Sequence, residues 1–250
     1  MFTYADDEKS AEIGDNSNAA LQLLITDVTN QNSLKVILNR ARENARGVQD
    51  HITKEVWEHV NHMYHLVNQP DLAAKLNSYE ALEVIDNFGK NSLLFTGVTD
   101  TTMPRGSGWS FMNLGKLIER CTQTIEITDK QYKSIGYDPG NSSDILRWRS
   151  LLLSLSGYEL HLKTYRAADF NKDVLHQVLI NQHFTRSVIY SLSRINKYLE
   201  DVVKENRVSG NDSLQLFFGR LYSRVKYVDI ETLKGVILQQ FLEEVRHDLL

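Results

Sequence analysis

Cysteine is almost absent from this chain: Cys121 stands alone, which excludes an intrachain disulfide and a cysteine-rich metal centre. A reducing, cytoplasmic setting is the expectation that follows. Proline is scarce, with three in 250 residues, and no tract of alternating β-branched residues occurs, so helices are expected throughout. No apolar run approaches the ~20 residues that a bilayer-spanning helix needs. Residues 1–15 are polar and acidic, unlike a signal peptide with its basic start and apolar run. A formal charge of −4 gives no broad pull toward nucleic acid or anionic lipid. Neither nucleic acid nor membrane is therefore an expected partner.

Catalytic signatures are lacking as well. There is no His-Glu-x-x-His pattern and no pair of Glu-x-x-His helices of the kind that builds a di-iron site in a four-helix bundle. His59, His62 and His65 recur every third residue, but they fan across the side opposite Val56, Val60 and Met63. They read as solvated histidines rather than metal ligands. Gly106-Ser107-Gly108 leads into a helix start whose N–H groups suit an anion, yet Walker A spacing and a preceding βαβ unit are both missing. The same Gly97–Gly108 loop serves equally as connector or lid. Ser107 and Ser110 have no local base partner. No metal and no cofactor is predicted.

What is present is helical periodicity. With 42% hydrophobic and 24% charged residues, the chain can bury one substantial core or two small ones sharing an interface. Residues 1–30 are poorly determined: Ala19–Leu24 is too short for a stable helix without packing. Residues 31–250 are expected to form an all-α, single, largely antiparallel bundle. Ser33 is a plausible N-cap for a stripe of Leu34, Ile37, Leu38, Ala41, Ala45, Val48 and Ile52. A second helix starts at His51 or Thr53, and a third runs from about Ser78 to Phe95. Trp109 opens a long helix ending near Gly136. Ile145–Tyr165 reads as one helix, apolar on nearly every side and hence central. Helices over about 172–180, 185–203, 213–227 and 231–250 complete the series. The last has no stop signal, as expected of a chain that continues past it.

Charged residues at helical spacing inside these packing segments are the candidates for a site. Glu43 points away from its apolar stripe, flanked by Arg42 and Arg46, either on a solvated face or beneath a second layer of helices. Glu119 and Arg120 repeat the ambiguity on the long helix, beside Trp109 and Met112. Glu159 falls on the side of Trp148, Leu152 and Leu155, where an arginine such as Arg166 would satisfy it as a register-fixing pair. Alternatively its pKa is raised for general acid–base work. Arg149, Tyr158, Tyr165 and Arg186 are polar groups for the same cavity.

Several segments together resemble the bacterial alpha-E domain family. They are Ala41-Arg-Glu-Asn-Ala-Arg-Gly47, Glu55-x-Trp57, Leu117-x-Glu119-Arg120, Leu155-Ser-Gly-Tyr-Glu159 and His183-Phe184-x-Arg186-Ser187-Val188. The resemblance extends from about Asn32 to the end. It implies an α-helical domain with a Glu-Arg motif, often encoded beside or fused to an ATP-grasp-like protein. Such members usually begin with an additional helix bearing its own Glu-Arg pair, which residues 1–30 do not supply; this implies a shortened or misassigned start. No catalytic role comes with the resemblance. The expectation is an accessory or interaction protein that partners an ATP-grasp-type ligase in peptide or amide-bond modification. Arg42, Arg46, Arg120, Arg149, Arg186 and Tyr158 are the candidates to bind an anionic or peptide small molecule. Two alternatives stand: an enzyme whose interhelical site uses Glu43, Glu119 and Glu159, and a purely structural polar seam.

Overall fold

The periodic stripes and the short polar residues before them both become helical features in the folded chain. The computed structural model describes residues 16–140, 145–165, 170–206 and 212–250. Among them every regular element is helical, as the composition predicts. The α-helices are α1 (Ser17–Ile25), α2 (Leu34–Gly47), α3 (Lys54–Val67), α4 (Leu72–Leu76), α5 (Ala81–Thr102), α6 (Ser107–Lys133), α7 (Ile145–Ser154), α8 (Tyr158–Thr164), α9 (Phe170–Ile180), α10 (Val188–Asn206), α11 (Asp212–Lys226) and α12 (Val236–Leu249). Within this all-α chain the helices gather into two compact units, Phe2–Gly108 and Trp109–Leu250. No helix among the described residues is long and apolar enough to cross a membrane.

In the N-terminal unit, α1 is too short to persist alone and is held by its cap and its packing. The Asn16 side chain accepts from the Asn18 and Ala19 amides. Ile25 then joins Leu38, Met63, Val67, Leu72, Leu76 and Phe88 in one core. The predicted caps are in place: Ser33 Oγ accepts from the Val36 amide at 3.3 Å, and Thr53 Oγ1 from the Val56 amide at 3.4 Å. Leu38 and Ala45 are buried, while Ile37 and Val48 at the stripe's margins are exposed.

Two expectations change in this unit. His59 is buried, its Nε2 lying 2.8 Å from the Asn91 carbonyl oxygen and its ring 6.0 Å from that of Phe95. Only His62 and His65 face solvent. In addition, α5 continues to Thr102, through Gly89 and Gly97, which leaves 103–106 as the loop between α5 and α6. Threonine hydroxyls line its last turns. Thr101 donates to the Gly97 carbonyl and Thr102 to the Val98 carbonyl, both at 2.8 Å, and Thr102 also meets Thr53 at 2.8 Å. The bond to Thr53 ties the last turn of α5 to the start of α3, while each helical glycine costs roughly 1 kcal/mol.

In the C-terminal unit, α6 ends where its glycine predicts. Gly136 takes φ +65°, and the Tyr137 amide bonds back to the Tyr132 carbonyl at 2.8 Å, a Schellman ending. Tyr132 and Trp148 are fully buried with ring centroids 4.8 Å apart, and the Tyr132 hydroxyl donates to the Asn171 carbonyl at 2.6 Å. The helix buried on nearly every side is α9: Val174, Leu175, Gln177, Val178 and Leu179 are all interior. It packs against α7, α10 and α11.

The expected continuous helix over Ile145–Tyr165 is instead two helices, with Leu146, Leu153 and Leu162 exposed. α7 closes with a second Schellman ending. Ser156 occupies the left-handed position at φ +55°, and the Gly157 amide bonds to the Leu152 carbonyl at 2.7 Å. Glycine usually fills that position. Here serine does, and glycine comes one residue later because a Cβ there would lie 2.8 Å from both Phe184 Cζ and Gln177 Nε2.

Candidate functional site

None of the three carboxylates singled out from the sequence is buried. Glu43 is 61% exposed on α2, 3.3 Å from Arg42 and 3.8 Å from Arg46, so this is a solvated surface group of charges. Glu119 is exposed and accepts a hydrogen bond from Gln123 at 2.7 Å, one turn along α6. Glu159 is exposed as well, which corrects its expected place among Trp148, Leu152 and Leu155. The break at Ser156–Gly157 rephases α8, turning Glu159 outward and His161 inward. Arg166, offered as its partner, lies outside the described residues.

The arginines are better placed. Arg42 is half-buried; its Nε donates to Asn61 Oδ1 at 2.7 Å and its guanidinium lies 4.4 Å from the Tyr64 ring centroid. This pins α2 to α3 and is worth about 0.5–1 kcal/mol in cation–π terms. Arg46 is 68% exposed, and its ion pair is with Glu43. Arg149 is exposed and stacks over the half-buried Tyr158 at 5.2 Å, so those two candidates meet across α7 and α8.

Arg120 and Arg186 form the more unusual pair. The Thr124 hydroxyl lies 3.0 Å from the carbonyl oxygens of both residues, tying the middle of α6 to the turn before α10. That turn is fixed in its own right. The fully buried Ser187 donates to the Asn181 carbonyl at 2.7 Å and caps α10 by accepting from the Tyr190 amide at 3.1 Å. Both arginines are half-buried. Burial, and secondarily the positive charge of Arg186, lowers the pKa of Arg120, with nearby Tyr190 opposing the shift. Neither guanidinium has an ion pair or hydrogen bond among the described residues. The positive end of α10 adds to the same field. Two half-buried cations beside a helix N-terminus attract an anion, and nothing described there cancels their charge.

One cluster escaped the sequence reading. His161 is 1% exposed, its ring 4.9 Å from Tyr165 and 4.6 Å from Phe170. Gln177 donates its amide N–H to the Gly157 carbonyl at 2.7 Å, so its Oε1, 2.8 Å from His161 Nδ1, must accept. His161 therefore carries its proton on Nδ1 and leaves Nε2 as a bare, buried acceptor with no partner. Desolvation lowers the pKa of His161 and of His176, whose Nδ1 meets the Tyr165 hydroxyl at 2.7 Å. Cys121 is fully buried and burial pushes its thiol up to about 12, so at neutral pH it carries no thiolate.

The N-terminal unit holds a cleft of about 430 Å³ beside α4 and α5 that contains none of the predicted residues. Its two cations are already paired, Lys75 with Asp71 at 2.8 Å and Lys90 with Asp86 at 2.6 Å. Among the described residues, no group of three or more His, Cys, Asp and Glu is placed to hold a metal ion.

No curated protein and no solved structure matches the chain. A family match does, and it reaches further toward the N-terminus than the segments from Asn32 onward that carry the resemblance. Residues 2–250 fit Alpha-E, described as a predicted alpha-helical domain with a conserved ER motif. Helical along its described length and carrying Glu119-Arg120 in mid-α6, the chain belongs to the Alpha-E family.

Proposed function

We propose that this chain is a helical accessory protein that holds the anionic group of a small molecule or peptide at Arg120 and Arg186. The observation that carries this reading is the pair itself: two half-buried arginines whose backbone carbonyls both meet the Thr124 hydroxyl, with no carboxylate paired to either guanidinium among the described residues. The positive charge of Arg186 acts against that of Arg120. A carboxylate or phosphate bridging both relieves that repulsion with charge-assisted hydrogen bonds. The proposed setting is cytoplasmic, beside an ATP-grasp-type ligase that forms a peptide or amide bond. That partner is supported by the family resemblance alone.

The rival enzyme reading requires Glu43, Glu119 and Glu159 to line an interhelical pocket, and all three are exposed. The polar-seam reading finds support at one place, where Arg42 meets Asn61 and Tyr64.

Thermal unfolding in rising concentrations of inorganic phosphate tests the binding half. A ligand that binds only the folded state raises Tm in a saturable way. Wild type should respond, and Arg120→Gln and Arg186→Gln should each lose most of the response. Equal responses from all three proteins would overturn the assignment. Co-purification with an ATP-grasp-type ligase from the same cells tests the other half, and clean failure across several salt concentrations would remove it.

A further inference from the structure

The outer face of α5, in the N-terminal unit, is untouched by this reading. The helix buries Ala81, Phe88, Asn91 and Thr99 on its inner side. On its outer side Leu82 is 79% exposed and Leu93 75%, with Ile85 and Leu94 exposed beside them. At 3.6 residues per turn, Leu82, Asp86, Gly89 and Leu93 fall within an arc of about 60°, with Ile85 at one margin and Lys90 at the other. A Cβ on Gly89 would meet nothing within 4 Å, so the middle of the arc is low and open. Large aliphatic side chains gathered on one exposed face and rimmed by charge mark a contact surface.

The order of residues along the arc says what fits it. Toward the C-terminus it runs Leu82, Asp86, Gly89, Lys90, Leu93: a leucine at each end, an acid nearer one and a base nearer the other. Turned end for end, this pattern complements itself. When Leu82 is level with Leu93 of an antiparallel copy, Asp86 comes within one residue of that copy's Lys90, about 1.5 Å of rise, on the same side of the seam. On the other side, Ile85 comes level with the open surface at the copy's Gly89. Each meeting occurs twice, as a two-fold interface requires. A parallel copy in register would instead set Asp86 beside Asp86 and Lys90 beside Lys90. Asp86 and Lys90 pair at 2.6 Å within α5, yet their side chains stay 62% and 73% exposed, free to meet a second partner. We infer that α5 is the seam of a homodimer in which two copies of this chain pack antiparallel, Leu82 against Leu93 and Asp86 against Lys90. A seam of one helix from each copy sits at the small end of specific interfaces, so the expected association is weak, in the micromolar range.

Sedimentation velocity of the full chain, from micromolar to millimolar concentration, tests it. Wild type should shift from monomer to dimer, and Leu93→Asp should stay monomeric throughout. Asp86→Lys gives a face with two bases and Lys90→Asp a face with two acids, so each alone should dimerise at least fivefold more weakly than wild type. An equimolar mixture of these two variants should recover the association, because two bases then face two acids across an antiparallel seam. Both variants break the ion pair within α5, so only a contact between chains explains recovery on mixing. The inference is overturned if wild type remains monomeric, if Leu93→Asp dimerises as wild type does, or if the mixture associates no better than its components. Should Leu93→Asp not fold, the mixing experiment, whose substitutions are at exposed positions, still decides.

Discussion

Glu159 and His161 exchange roles because of three residues. On one continuous helix, Glu159 shares a side with Trp148, eleven residues earlier, and looks buried. Spending Leu155, Ser156 and Gly157 on a Schellman ending resets that phase, so the carboxylate meets water and the imidazole enters the core. Two substitutions separate these environments. Glu159→Gln should change stability by no more than about 0.5 kcal/mol, as surface changes do. Gly157→Ala should cost about 1–3 kcal/mol through overpacking against Phe184 and Gln177. Urea denaturation of both variants reads the difference.

The same pocket makes stability depend on pH. His161 and His176 have pKa values below the ordinary histidine value, chiefly through desolvation, so the folded state prefers them neutral. As pH falls below about 6.5, the unfolded chain takes up these protons first. Stability should therefore be full above that pH and decline on acidification. Replacing His161 with Gln should flatten part of the decline. A decline of equal size in the variant would mean that other groups carry it.

At the scale of the helices, starts were easier to read than ends. Ser33 and Thr53 announce α2 and α3 because a hydroxyl before an apolar stripe has one obvious backbone task. Ser33→Ala should cost about 1 kcal/mol, measurable by thermal or urea unfolding, since the cap is fully buried. The end of α6 was legible at Gly136, where glycine fills the left-handed position. The end of α7 was hidden because Ser156 fills it there. α5 erred in the other direction: Gly97 looks like a breaker, but the helix continues past it to Thr102, whose hydroxyl meets Thr53 at the start of α3. His59 was misread for a related reason, since its partner is a backbone carbonyl, Asn91 O, that no side-chain pattern reveals.

Across the whole chain, the all-α class followed from helical periodicity, few prolines and the lack of alternating β-branched tracts, which are properties summed over many residues. The candidate site depends on a long-range juxtaposition that no local pattern encodes. Arg120 and Arg186 both stood out as charges at helical spacing, but their nearness comes from core packing and from the Thr124 hydroxyl, which reaches 62 residues along the chain to the Arg186 carbonyl. Arg42, Arg46 and Arg149 stood out equally, and the fold puts each with a surface acid or an aromatic ring. What distinguishes the Arg120–Arg186 pair is the lack of a described counter-charge. The most direct measurement is an NMR titration of the arginine Nε–H signals with inorganic phosphate. The Arg120 and Arg186 signals should move together along one saturation curve while that of Arg149 stays still. Signals that do not move, or an Arg120 response that survives Arg186→Gln unchanged, would contradict a shared anion site.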